Sequence, residues 1–240
     1  MKCLTSYQEI DALGEGLFRN YTKKKHRWNA MCFDIEGFIT DYLKLPIMYE
    51  IFAEADKSKL GFLSNGIEPL RVERDGRLCD IVYKKDTIVI ERFLLRNEES
   101  GRRRFTLAHE AAHYIMKLHL QNDNAAVYHN DYDEEGSYSV EDITRMFSLN
   151  ESFANRLGAA LLMPEYLVRK ALGKYNEGNK IVLYDGGVFS KEEKIKLQKM
   201  ADGLGVSFTA MLNRLKSMLL LELRPIEEYI EKGLGLGGVS

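Results

Sequence analysis

Apolar positions along this chain recur first at helical spacing, then at strand spacing, then again at helical spacing. Residues 5–20 carry Ile10, Leu13, Leu17 and Phe18 on one predicted helical face. Residues 30–44 repeat the pattern with Met31, Ile35, Phe38, Ile39, Tyr42 and Leu43. Leu45-Pro46 ends it, because a proline disfavours helical backbone in the residue before it. From Pro46 to Glu91 the period shortens to two. Ile47 to Phe52, Gly61 to Leu63, Leu70 to Arg74, Leu78 to Tyr83 and Thr87 to Glu91 read as strands, with Asp75-Gly76 as a hairpin turn. A small, largely antiparallel sheet is therefore expected over residues 46–91.

Helical spacing then returns. Between Arg104 and Met116 the residues Phe105, Leu107, Ala108, Ala111, Ala112, Ile115 and Met116 make a helix that is apolar nearly all round, the mark of a buried one. Residues 121–140 are polar, acidic and rich in tyrosine, and predict a long loop, either a disordered excursion or a lid. Ser139 then caps a helix carrying Ile143, Met146, Phe147, Phe153, Leu157 and Leu161, and Pro164 opens a shorter one around Tyr166 to Leu172. Gly173 to Gly187 is loop-like, with a short apolar run at Ile181 to Tyr184. Residues 191–203 predict a helix stopped at Gly203 or Gly205, and Val206 to Leu223 another. This pair has the outline of a DNA-binding helix-turn-helix, but its second helix is apolar rather than basic, which favours two packing helices. A glycine-rich end, Gly233 to Gly238, reads as a flexible tail. The chain thus predicts an α+β domain over residues 1–224 and a tail over 225–240, with active-site helices at about 104–163 and C-terminal helices at about 191–223.

Composition narrows the function. The chain has 240 residues with a net charge of -2, which gives no general attraction to nucleic acid or to an anionic membrane. Two basic clusters, Lys23-Lys24-Lys25-His26-Arg27 and Arg102-Arg103-Arg104, are short, and read as solvated or paired residues. No apolar run approaches a membrane span and no signal-peptide core follows Met1. Three scattered cysteines, Cys3, Cys32 and Cys79, fit thiols in a reducing cytoplasm.

The chemistry sits in the buried helix. His109-Glu110-Ala111-Ala112-His113 is a His-Glu-x-x-His motif. Histidines at i and i+4 project from one helical face, about one turn apart, and can bind one zinc ion at about 2.0–2.1 Å. A carboxylate and two imidazoles in an apolar helix need partners, and a metal supplies them. Glu110 is placed to act as general base on the water that the metal activates. A catalytic site needs a third protein ligand. Glu151 offers it from the next helix, mid-helix among apolar residues. Asn155, one turn on, is placed to orient a ligand histidine through its outer nitrogen. The rivals for third ligand are Asp131, Asp133, Glu134, Glu135, Glu141, His119 and His129.

Here the chain resembles a known family, the ImmA/IrrE-type metallopeptidases. The resemblance is carried by Arg103 to Tyr114, by Glu151-Ser152-Phe153-Ala154-Asn155, and by Ala159-Ala160-Leu161-Leu162-Met163-Pro164. Weaker likeness runs from about Asp34 through the sheet and over Val206 to Leu215. The family usually has Leu-Gly where this chain has Ala111-Ala112, often Glu at the place of Phe153, and Phe-Ala where it has Leu157-Gly158. The resemblance implies a zincin-like fold and one Zn2+ ion, with another divalent metal as the alternative. It also implies a regulatory endopeptidase, bacterial or borne on a mobile element, that cleaves a helix-turn-helix repressor and so derepresses genes.

Further expectations follow from the residues. Thr87, Ile88, Val89, Ile90 and Glu91 shortly precede the active-site helix and are expected as a sheet edge that takes the substrate as an added strand. An oxyanion donor is expected among His119, Tyr128, His129, Tyr132 and Tyr138. The competing readings are a non-catalytic zinc-binding module that sequesters a repressor, and one half of a toxin–antitoxin pair. An intact Glu110 favours the enzyme, since a structural metal has no use for a base. No direct contact with nucleic acid or membrane is expected.

Overall fold

A computed structural model of the chain describes residues 6–25, 31–121 and 140–233; of residues 119–121, 140–149 and 232–233 it describes the backbone alone. The first elements are α1 (Tyr7–Lys25), then α2 (Ile35–Gly37), which runs into a π-helical turn at Phe38–Tyr42. Five strands follow: β1 (Ile47–Phe52), β2 (Gly61–Leu63), β3 (Leu70–Arg74), β4 (Arg77–Ile81) and β5 (Ile88–Glu91). Two long helices, α3 (Ser100–Gln121) and α4 (Val140–Leu162), lead to α5 (Glu165–Asn176), β6 (Ile181–Tyr184), α6 (Lys191–Leu204), α7 (Phe208–Ser217), β7 (Leu221–Arg224) and α8 (Ile226–Gly233). The fold is mixed α+β. The chain divides into two units, Met1–Pro164 and Glu165–Ser240.

In the first unit the strand order is β2-β5-β1-β3-β4. β5 runs parallel to β1, while the other neighbours are antiparallel, so the sheet is mixed. Asp75 and Gly76, both at positive φ, make the expected hairpin turn between β3 and β4. β5 corrects the expectation for Thr87 to Glu91. It is bonded on both sides, to β2 and to β1, and has no free edge. The physical reason lies in its side chains. Ile88, Val89 and Ile90 are all fully buried, so the strand is apolar on both faces and suits the middle of a sheet. Its edge position falls instead to β2.

The sheet curls around a small core of its own, in which Val89, Leu70, Val72 and Tyr83 pack with Phe52, Phe62, Cys79 and Ile81. Nearby, the buried carboxylate of Glu50 receives the Arg74 guanidinium, whose Nε lies 3.2 Å from Oε2. Glu91 accepts a 2.6 Å hydrogen bond from the Phe52 amide and so ties β5 to β1.

α3 packs against β2, β5 and α4, and α4 packs also against α1. The buried stripe of α1 is Ile10, Gly14, Phe18, Tyr21 and Thr22; Leu13 and Leu17, expected on that face, are half-buried. Rings of Phe18, Tyr21, Phe33, Phe38 and Tyr42 cluster at its far end. Four residues of the two basic clusters are held locally. Lys25 pairs with Asp41 at 2.7 Å, Arg102 with Glu99 at 3.6 Å and Arg103 with Glu36 at 3.4 Å, while Arg104 donates to the Phe33 carbonyl.

In the second unit, Ser190 and Ser207 cap α6 and α7, and Gly205 ends α6 in the left-handed conformation. α7 stops at Ser217 rather than running to Leu223. The chain turns at Leu219, φ +57°, and re-enters as β7, parallel to β6. An apolar run such as Met218 to Leu223 fits helix and strand equally by periodicity, and β6 decides it by offering a partner. β6 itself is the Ile181 to Tyr184 run within the expected loop. α8 likewise occupies Ile226–Gly233, where a tail from 225 was expected.

Arg74, through its hydrogen bonds, holds the Glu50 carboxyl below its ordinary value of 4.5, against the opposing effect of burial. A lowered native value means that the stabilisation is complete above the unfolded value and is lost as pH falls through the folded one. Glu50→Gln should destabilise the protein by about 1–2 kcal/mol at neutral pH. It should also flatten the loss of stability below pH 4.5. Urea unfolding at several pH values, comparing the variant with the wild type, measures both effects.

Candidate metal centre

His109 and His113 stand one turn apart on α3 with ring centroids 4.6 Å apart and planes at 83°. Their Nε2 atoms are 3.0 Å apart. Glu151 comes to both from α4, with Oε2 3.2 Å from His109 Nε2 and Oε1 3.3 Å from His113 Nε2. Three donors bound tetrahedrally at about 2.0–2.1 Å would stand about 3.3–3.4 Å apart. The triangle therefore fits one small divalent cation, and two imidazoles with a carboxylate are donors suited to zinc. Among the described residues this is the one group of three or more His, Cys, Asp or Glu so arranged.

The tautomer is set from outside. His109 Nδ1 lies 3.0 Å from Asn155 Oδ1. An amide oxygen only accepts, so Nδ1 carries the proton and the Nε2 lone pair is left for a metal. Asn155 is thus beside His109, on the same helical face as Glu151.

Close approach of the helices makes this reach possible. Gly158 lies against the α3 backbone: a Cβ there would stand 3.2 Å from both Ala108 C and His109 N. Spacing alone could not show this; the Leu157-Gly158 departure was its only trace.

Glu110 lies between His109 and His113 in sequence and is buried, at 7% exposure. Burial raises its carboxyl above the ordinary range, and Glu151 adds to this, while His109 and His113 oppose it. Glu151 behaves in the opposite way. Hydrogen bonds from His109 and then His113 hold it far below the usual carboxylate range. Burial disfavours a charged His109 ring, but Glu151, helped by Glu110 and Asn155, outweighs it and raises the ring.

One further residue was missed. Gly61, at the start of edge strand β2, faces Glu110: a Cβ there would fall 2.4 Å from Oε1 and 2.8 Å from Thr106 Cγ2. A glycine within a strand signals such close approach, and that was the available clue. Thr87 to Glu91, by contrast, lie inside the sheet. Tyr128, His129, Asp131, Tyr132, Asp133, Glu134, Glu135 and Tyr138 fall outside the described residues, as do the side chains of His119 and Glu141.

A family model described as the IrrE N-terminal-like domain, of the M78 peptidases, matches residues 80–216. The chain belongs to the ImmA/IrrE metallopeptidase family. The match takes in β5, α3 and α4, and so every residue of the His-His-Glu group; α1 through β3 lie outside it. No curated protein matches the chain. Buried Glu110 stands directly beside the His-His-Glu group in this match.

Glu151→Ala should remove a donor and abolish tight binding of zinc or cobalt(II). Asn155→Ala should weaken it by about 10–100-fold, as outer partners of metal ligands do. Titration of both variants and the wild type with cobalt(II), followed by visible absorption, gives the order. Equal affinity in Glu151→Ala would place the third ligand elsewhere.

Proposed function

We propose that this chain is a zinc-dependent endopeptidase that cleaves a helix-turn-helix repressor and thereby derepresses genes. The observation that carries the catalytic part is the triangle of His109, His113 and Glu151 donors with Glu110 buried beside it. The repressor rests on the family resemblance.

A zinc ion held by these three side chains supplies Lewis acidity to the scissile carbonyl and acidifies a water. The chain's own residues do the rest. Glu110 takes the water's proton as the new C–O bond forms and passes it to the leaving amine nitrogen as the C–N bond breaks. Asn155 keeps the His109 ring in one orientation throughout.

β2 supplies the substrate's place. Glu91 N donates to Leu60 O and Ser64 N to Thr87 O, each at 2.9 Å, and Phe62 is opposite Val89. The alternating antiparallel ladder then turns the N–H and C=O groups of Gly61 and Leu63 away from β5. No strand lies on that side among the described residues. An extended peptide can add there by main-chain hydrogen bonds, and Gly61 would hold it directly beside Glu110.

Two outcomes test the reading. Glu110→Gln should keep the wild-type zinc content and lose at least about 1000-fold in cleavage rate, since Gln cannot accept the proton. The assay is incubation with the repressor encoded beside the gene, with and without chelator, on one preparation whose metal is also measured. Cleavage at the wild-type rate by Glu110→Gln would remove the base from the mechanism. Gly61→Ala should retain zinc while kcat/KM falls by about 10–100-fold, because the added methyl displaces the carboxylate by a fraction of an ångström or more. Unchanged kinetics would show that β2 does not border the reacting groups.

A further inference from the structure

Helix α4 is held from two sides. With about 100° of rotation per residue, Glu151, Asn155 and Gly158 share one face, and Phe153, Arg156 and Ala160 fall on the opposite one. The first face meets α3 and carries the metal ligand. The second meets α1.

The contact with α1 is close and specific. Gly14 lies so near α4 that a Cβ there would stand 2.6 Å from Ala160 Cβ. Arg156 forks onto Asp11, with Nε 3.0 Å from Oδ1 and Nη2 on Oδ2. The two side chains keep only 18% and 24% of their exposure. The same guanidinium lies over the Tyr7 ring at 5.3 Å, and Tyr7 meets Phe153 edge-on at 6.2 Å. A planar, two-point ion pair fixes rotation as well as distance, which a purely apolar contact does not. Because α1 lies outside residues 80–216, the family match says nothing about it.

We infer that α1 is a positioning element of the metal centre: Asp11 and Gly14, acting through Arg156 and Ala160, set the rotation and depth of α4 and so the place of Glu151 against His109 and His113. The inference rests on the reading of these three residues as metal ligands. Ala160 is nine positions from Glu151, about 13 Å along the helix. Changes at the α1 contact therefore touch no ligand, and can reach the metal only by moving α4.

The test is cobalt(II) titration of the full chain, read as affinity and as the visible absorption spectrum, with thermal unfolding in chelator as the measure of metal-free stability. Gly14→Ala and Asp11→Asn should each weaken cobalt(II) binding by about tenfold, the low end for residues that orient ligands, and should alter the spectrum. Moving the methyl across, in Gly14→Ala with Ala160→Gly, should restore affinity to within about threefold of wild type, as coupled neighbours do. Asp11→Asn keeps the side-chain shape and carries the test should Gly14→Ala not fold. Wild-type affinity and spectrum in variants whose unfolding midpoint has dropped would make α1 a merely stabilising helix and overturn the inference. A wild-type chain that takes up no cobalt(II) or zinc would overturn the metal reading itself, and the inference with it.

Discussion

The structure depends on how near α4 comes to the α3 backbone. Gly158, without a side chain, rests on Ala108 and His109, and the buried methyl-sized residues Ala108, Ala111 and Ala112 keep the α3 surface low. Everything else in the centre follows from that approach. Glu151 has a short side chain and reaches both imidazoles only because the helices nearly touch. Asn155, one turn on, is brought to the outer nitrogen of the same histidine. Packed interiors transmit even one methyl group's worth of displacement, so the fine geometry of the ligands is inherited from the fit of two backbones.

The same neighbourhood separates two carboxylates by environment. Glu151 is 58% exposed at the open side of the centre and is held ionised by two histidines. Glu110 is enclosed and pushed toward the protonated form. Two neighbouring carboxylates are thus driven in opposite directions, a difference set by surroundings rather than by residue type. Gly61 contributes by leaving room. The curled sheet brings its edge to the base, and only a residue without a side chain lets strand and carboxylate occupy adjoining space.

The parts legible in the sequence are the local ones. His109, Glu110 and His113 declare themselves by helical spacing, and Glu151 with Asn155 by the same one-turn rule on the next helix. The hairpin at Asp75-Gly76 was equally plain, because two positive φ values suit those residues. What escaped is non-local. The order of strands does not follow the order of the chain, so Thr87 to Glu91 looked like an edge although the burial of both its faces makes it a centre. β7 reads as helix from the sequence because its apolar run lacks a decisive period and its partner β6 lies far away along the chain. The close contacts at Gly61, Gly158 and Gly14 exist only between elements, and a glycine in isolation does not say what it admits.

The donors of the centre come from two successive helices, with His113 and Glu151 38 positions apart. An ion shared by His113 and Glu151 therefore closes the intervening chain into a ring, as a disulfide would, but reversibly. Such a crosslink shrinks the conformational freedom of the unfolded chain only while the ion is bound, and the native state gains stability in proportion to the logarithm of free metal over Kd. Heat resistance, resistance to other proteases and catalytic competence are then not three separate properties of this protein. All would rise and fall together with the metal available to it, so that metal scarcity would shorten the lifetime of the chain as well as silence it.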